Sequence, residues 1–242
     1  MVSEGERDLT VAVTGPTGTF GFGLVPLPQA DDRVTRVVGI ARRPFDPAGH
    51  GWTKMEYRRG DVRDPEALRD AFDGADVVVH LAFLVSGAAP GEVIRSINVG
   101  GTLNAFRAAA AAGARRFVYA CSVAAYGFHP DNPIGMTEEW PVRPAARLFY
   151  AQEKAELEVL LRAEADRSAG PALYLLRPPI VLGPHAGRRV RARAPQGVHR
   201  ARVRRRHPRR RRQPDRRSGR AAPHPGCLRP RHRCDGCRNL TA

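Results

Sequence analysis

The segment that most constrains the fold is LTVAVTGPTGTFG, residues 9–21. It begins as a short apolar run ending in glycine, the pattern of a buried strand. Gly15, Gly18 and Gly21 follow at intervals of three, and helix-forming sequence resumes at Thr19. A strand that turns through glycines into a helix sets the helix N-terminus, with its free N–H groups and positive dipole end, above the strand end. Gly15 permits the tight turn, Gly18 lets the backbone approach a ligand, and Gly21 lets helix and strand pack closely. The arrangement suits the pyrophosphate of a dinucleotide, with Thr17, Thr19 and Phe20 completing the loop. Glycines in a loop without this context would read only as a structural turn.

The chain as far as residue 187 keeps alternating. Apolar runs predict strands over 9–15, 34–41, 55–62, 75–83, 115–122 and 171–179. Helical spacing predicts helices from Thr19, over 64–72, 92–112 and 149–165. Asp64 is the expected N-cap of the second helix, with Pro65 at its first position and Leu68 and Phe72 on one face. Pro26 and Pro28 are expected to end or bend the first helix. Strands without a polar face imply a parallel sheet covered on both sides. Right-handed crossovers then give an open, doubly wound α/β sheet of six strands.

Charge divides the chain at the same point. Residues 188–242 hold 20 arginines and two aspartates, whereas the first 187 residues hold 20 basic and 22 acidic ones. The tail has no aromatic residue, six prolines and five large apolar side chains, too few to offset chain entropy, so disorder is expected. The domains expected are therefore 1–187, a folded dinucleotide-binding unit, and 188–242, a basic tail. Three readings of the tail compete. Arginine outnumbers lysine 38 to two, as in a GC-rich gene, and a shifted reading frame near codon 188 would yield such a composition. Arg204–Arg217, with nine arginines, would attract nucleic acid without specificity, there being no aromatic ring to stack on a base. Cys227, Cys234 and Cys237, with His224 or His232, have spacing that could hold zinc, but lack a surrounding apolar core; no metal site is expected. The N-terminal MVSEGERDL is acidic, unlike a secretory signal, and no apolar run approaches the roughly 20 residues of a membrane span. A cytoplasmic protein without membrane association is the expectation.

Two further groups carry chemistry. An NAD-selective site places a carboxylate after the second strand to hold the ribose 2′-hydroxyl. Here Arg42 and Arg43 stand there instead, so a 2′-phosphate fits better and NADP is favoured over NAD; otherwise both are ordinary surface charge. Tyr150 and Lys154 lie four residues apart on a predicted helix and so share a face. A phenol titrates near about 10, and a neighbouring ammonium favours its phenolate. The pair suits proton exchange beside a carbonyl, and Ser122, at the end of the fifth strand, could supply a third group. A chance helical pair is the alternative, but Lys154 is one of only two lysines in the chain.

These residues resemble the extended short-chain dehydrogenase/reductases, the NAD-dependent epimerase/dehydratase group. The matching pieces are TGPTGTFG (14–21), GDV (60–62), HLAF (80–83), NVGGT (98–102), CSVAAYG (121–127), YAQEK (150–154) and LRPPIVLGP (176–184), in the family's order. The resemblance implies a Rossmann fold with NAD(P) as cofactor. It implies that Gly15, Gly18 and Gly21 bind the pyrophosphate, that Asp61 and Val62 lie against adenine, and that Leu81, Ala82 and Phe83 line the path to the nicotinamide. Asn98 would shape the site's helix, and Pro178 would sit beside the cofactor. Ser122, Tyr150 and Lys154 would be catalytic. The implied reaction is hydride transfer at a hydroxyl or carbonyl carbon of a small-molecule substrate, alone or within epimerisation or dehydration. The helices near 92–112 and 149–165 are those the family uses to form homodimers. The sequence departs from many sugar-nucleotide members by carrying Ile180 where they have Asn. It also carries the arginine-rich tail where members continue into a substrate-binding lobe.

Overall fold

The computed structural model describes residues 8–85, 89–167 and 169–181. The expectations for the tail lie outside these residues. The strands are β1 (Leu9–Thr14), β2 (Val34–Ala41), β3 (Met55–Arg59), β4 (Val77–His80), β5 (Arg116–Ala120) and β6 (Ala172–Leu176). The helices are α1 (Thr19–Leu24), α2 (Pro26–Ala30), α3 (Pro65–Phe72), α4 (Gly91–Arg95), α5 (Gly101–Ala111) and α6 (Phe149–Arg167). The strands form one sheet in the order β3-β2-β1-β4-β5-β6, with every neighbouring pair parallel. This is the doubly wound Rossmann architecture.

Side-chain alternation along a strand sends successive residues to opposite faces. In β2, Val37 joins Val13, Val25, Trp52 and Met55 on one side of the sheet. Its neighbour Val38 joins Ala12, Val78, Phe117 and residues of α3, α5 and α6 on the other. Both are fully buried, which is why the strand is apolar throughout. The strand β6 differs. Tyr174 and Leu176 are 46% and 53% exposed, as befits an edge.

The expected elements are present, with differences that have local causes. The third strand stops at Arg59 rather than Val62. The Asp61 carboxylate accepts from Arg63 N at 3.0 Å and its carbonyl from Asp64 N at 2.9 Å, which turns the chain into α3. Asp64 caps α3 as expected, accepting from Glu66 N and Ala67 N. The first helix ends at Leu24, and Pro26 opens α2. The segment expected as one helix over 92–112 is interrupted by a π-helical turn at Ser96–Gly100. Its wider turn changes which residues face inward, and Ile97, Asn98 and Val99 are all buried. Gly113, at φ +72°, follows the end of the segment, which the sequence placed at residue 112. No helix among the described residues is long and apolar enough to cross a membrane.

A buried ion pair ties the end of β6 to α6. Arg177 Nε and Nη2 donate to Glu158 Oε1 and Oε2 at 2.7 and 2.5 Å, with the side chains 7% and 3% exposed. Arg177 Nη1 also donates to Tyr126 Oη at 2.8 Å and to the Glu138 carbonyl at 2.9 Å. Removing the carboxylate leaves a buried guanidinium uncompensated. Glu158→Ala is therefore expected to cost about 3–5 kcal/mol in urea denaturation, and a midpoint equal to wild type would refute this account of the pair.

Candidate active site

Because the strands are parallel, their C-terminal ends share one edge of the sheet. The chain winds outward from β1 through β2 to β3, and from β4 through β5 to β6 on the other side. Between β1 and β4 the order reverses, the kind of switch point at which open α/β sheets bind their ligands. The sequence-predicted site residues fall on this edge. Residues 15–21 follow β1, Arg42 and Arg43 follow β2, and Asp61 and Val62 come just past β3. Leu81, Ala82 and Phe83 follow β4, Ser122 follows β5 and Pro178 follows β6.

The protein's own packing accounts for two of the three glycines in the turn. Gly15 has φ +70°, and a Cβ there would lie 3.1 Å from Ala82 Cα and N. A Cβ on Gly21 would lie 2.1 Å from the Pro16 carbonyl oxygen. Gly18 is different. A Cβ there would meet only Gly15 O, at 3.3 Å, within its own turn. Among the described residues no other element covers Gly18, and a Cβ there would crowd the turn itself, which fits a phosphate approaching the backbone. Thr17 and Thr19 are half-buried at the rim, and Phe20 is exposed.

The arginine loop is held from beneath. Arg59 Nε donates to the Arg42 carbonyl at 3.1 Å, and the Tyr57 hydroxyl donates to the Arg43 carbonyl. Phe45 packs against Phe22, Trp52 and Tyr57 with ring centroids 5.2–5.9 Å apart. Both guanidinium groups stay at the surface. Asp61 is engaged by Arg63, whose Nε and Nη2 donate to it at 3.1 and 2.8 Å; that bonding, with the charge of Arg42 added, holds its carboxyl below the usual range. Val62 is buried against Gly101, at the start of α5.

A chain of buried polar groups crosses the core from the end of β1 to α6. Thr14 Oγ1 accepts from Leu81 N and Ala82 N at 3.1 and 3.2 Å and lies 2.9 Å from His80 Nδ1. His80 Nε2 lies 3.0 Å from Thr102 Oγ1, which donates to the Asn98 carbonyl at 2.5 Å. The Thr102 hydroxyl, having donated its proton, accepts from His80. The imidazole thus carries its proton on Nε2 and accepts from Thr14 at Nδ1. Burial, with the nearby charge of Lys154, pushes the His80 pKa down to about 3. Asn98 accepts from Leu84 N at 2.7 Å and donates to the Leu84 carbonyl and to Glu153 Oε2 at 3.0 and 2.7 Å.

Sequence reasoning gave Asn98 a role but none to His80, Thr102 or Glu153. The available signal was a polar residue ending the otherwise apolar VVVH. Such a residue must find partners, but the sequence does not say which.

Tyr150 and Lys154 come to the same edge on α6. Lys154 is 3% exposed, and its Nζ donates to the Ala120 carbonyl, at the end of β5, at 2.6 Å. Burial lowers its pKa to about 7, opposed by the proximity of Cys121 and Glu153. The Tyr150 ring is half-buried and meets Phe83 edge to face, with centroids 5.6 Å apart. Ser122 Oγ accepts from Ala124 N at 3.1 Å, capping a short 3₁₀ turn and leaving its own proton to donate. The Pro178 carbonyl accepts from Val123 N at 3.2 Å, which places Pro178 beside that turn.

Sheet order and glycine turn together define a Rossmann domain of the short-chain dehydrogenase class. The chain belongs to the NAD-dependent epimerase/dehydratase family, whose pattern it matches over residues 11–212. It is 33% identical over 178 residues to sterol demethylase protein B of Methylococcus capsulatus, covering 73% of this chain and 52% of that protein. It is 34% identical to the ceramide reductase of Caulobacter vibrioides, covering 72% and 47%. A short-chain dehydrogenase/reductase superfamily protein from Agrobacterium tumefaciens, solved with bound NAD, superposes with a TM-score of 0.57 at 31% identity, covering 69% of this chain and 48% of that one. The chain spans about half the length of these relatives.

The buried histidine makes a pH prediction. An unfolded histidine titrates near about 6.5, whereas His80 in the fold does so at about 3. The unfolded chain takes the proton first, so this contribution to stability is complete above the unfolded value and is lost as pH falls toward the folded one. Between about pH 7.5 and 5 the urea midpoint of wild type is expected to decline more steeply than that of His80→Gln. Parallel declines would refute the assignment.

Proposed function

We propose that this chain binds NAD(P) and takes part in hydride transfer at a hydroxyl- or carbonyl-bearing carbon, as an oxidoreductase, epimerase or dehydratase. The observation that carries the reading is that the glycine turn and the Tyr150–Lys154 pair lie on the same edge of the sheet, the turn packed against Ala82 and the pair against Phe83 in the loop after β4. When bound, the nicotinamide supplies or accepts the hydride. Tyr150 exchanges a proton with the substrate oxygen. Ser122, whose hydroxyl proton is free to donate, holds that oxygen by a hydrogen bond. Lys154, kept at the Ala120 carbonyl, sets the electrostatic balance beside the phenol. Gly18 and the α1 N-terminus receive the pyrophosphate. The relatives' names support the class: a ceramide reductase, and an L-arabinose 1-dehydrogenase (NAD(P)+) that is 36% identical over 110 residues. The substrate class proposed is a sugar nucleotide or a small carbonyl compound.

NADP is the proposed cofactor of choice. Arg42 and Arg43 supply the positive charge that a 2′-phosphate needs, and β2 ends without a carboxylate that would repel it. Calorimetric titration tests both levels. Wild type is expected to bind NADPH at least tenfold more tightly than NADH, and Arg42→Ala/Arg43→Ala is expected to erase the preference, which is about 1.4 kcal/mol or more. Equal affinities in wild type would remove the NADP assignment, and no binding of either would remove the cofactor reading. With a carbonyl panel that wild type reduces, Tyr150→Phe is expected to lower turnover by about 10²–10⁴-fold while NADPH still binds. Undiminished turnover would remove Tyr150 from the chemistry, whereas NADPH binding with no turnover of any carbonyl by wild type would make the chain a non-catalytic cofactor-binding module.

A further inference from the structure

The Lys154 ammonium has an unusual set of neighbours. Its single hydrogen bond among the described residues goes to the Ala120 carbonyl, although an ammonium carries three donors. The titratable groups near it are His80 and Tyr119 from the strands, Cys121 just past β5, and Tyr150 and Glu153 from α6. None forms an ion pair with it. Glu153, the carboxylate next in sequence, accepts instead from Asn98. What surrounds the ammonium is aromatic. Its Nζ lies 3.6 Å from the Phe83 ring centroid, 4.6 Å from that of Tyr119 and 5.9 Å from that of Tyr150. Phe83 is the closest of the three and also meets the Tyr150 ring nearly perpendicularly, at 89°. One side chain from the loop after β4 thus touches both members of the pair on α6.

We propose that Phe83 is a positioning residue for the Tyr150–Lys154 pair: its ring face holds the Lys154 ammonium at the Ala120 carbonyl, and its contact with the Tyr150 ring sets the phenol beside it, before any cofactor binds. This goes beyond lining the cofactor path, and it rests on the proposed Tyr150–Lys154 chemistry. The physical basis is the negative face of the ring. A desolvated cation over that face is stabilised by electrostatic attraction. At Lys154 this opposes the burial that favours loss of the proton. A leucine would fill similar space without that attraction.

The composition makes the test clean, because Lys54 and Lys154 are the only lysines. The full chain, grown with isotope-labelled lysine, gives two lysine side-chain signals by NMR. Lys54 serves as internal reference, its Nζ donating to the Asp31 carbonyl at 2.8 Å ahead of β2 and β3, at the opposite edge of the sheet. In wild type the Lys154 Hε signals are expected upfield of those of Lys54, because they lie over a ring. Phe83→Leu is expected to reduce that displacement and to lower the Lys154 titration midpoint by about one pH unit, a tenfold change in its proton affinity. Phe83→Tyr, which keeps the ring, is expected to retain both, with Lys54 unmoved throughout. Coincident lysine shifts in wild type overturn the proposal even if Phe83→Leu fails to fold, and so does an unmoved midpoint in a folded Phe83→Leu. NADPH titration of the same samples tests the cofactor reading separately. Loss of NADPH binding alongside intact lysine results would defeat that reading and leave the positioning role of Phe83 standing.

Discussion

The site depends on a line of polar groups running through an apolar core. Thr14, His80, Thr102, Asn98 and Glu153 link the end of β1, the end of β4, the π turn, α5 and α6. Every member is buried, and each finds partners within the line or on adjacent backbone. Buried polar groups are costly when half satisfied and directional when fully satisfied. Hydrophobic packing alone would tolerate small slides of helix over sheet. This line does not, because each slide would break hydrogen bonds that water cannot replace.

That constraint explains how a turn near the N-terminus and a helix more than a hundred residues later come to lie at one edge of the sheet. Thr14 holds the backbone of Leu81 and Ala82, and Gly15, at φ +70°, is packed so closely on them that a Cβ would lie 3.1 Å from Ala82 Cα and N. At the other end, Asn98 holds Glu153, the residue before Lys154. The π turn at Ser96–Gly100 buries Ile97, Asn98 and Val99 in succession, a pattern that an uninterrupted amphipathic helix does not give. The Arg177–Glu158 pair braces α6 from the other side, through β6 and Tyr126. The aromatic and carbonyl surroundings of Lys154 sit between these two braces.

Much of this was legible from local pattern. The limits of β2 follow from its apolar run, and the start of α3 follows from Asp64 and Pro65, because a capping carboxylate reaches N–H groups only two and three residues on. The break after Leu24 follows from Pro26 in the same way. The glycine spacing and the Tyr150–Lys154 spacing pointed to the two halves of the site because each is set within one turn of chain. The π turn was not legible: Ser96 to Gly100 are weak helix formers, but that does not distinguish a wide turn from a regular one, and the irregularity answers to partners on other elements. Nor were the roles of His80, Thr102 and Glu153, whose hydrogen bonds span 22 to 66 residues of sequence or depend on such a bond.

The sequence by itself determined the fold class, the glycine turn and the residue types of the candidate site, because periodicity, capping and turn chemistry act over a few residues. Only the tertiary structure decided that, among the described residues, Gly18 alone of the three glycines has no other residue over it than Gly15 of its own turn, that Phe83 lies under Lys154, and that a neutral histidine joins the two halves of the candidate site. Those facts depend on which strand lies beside which. In a parallel sheet, neighbours are brought together by long crossovers, and the residues that meet at its carboxyl edge are set by strand order rather than by proximity in the chain.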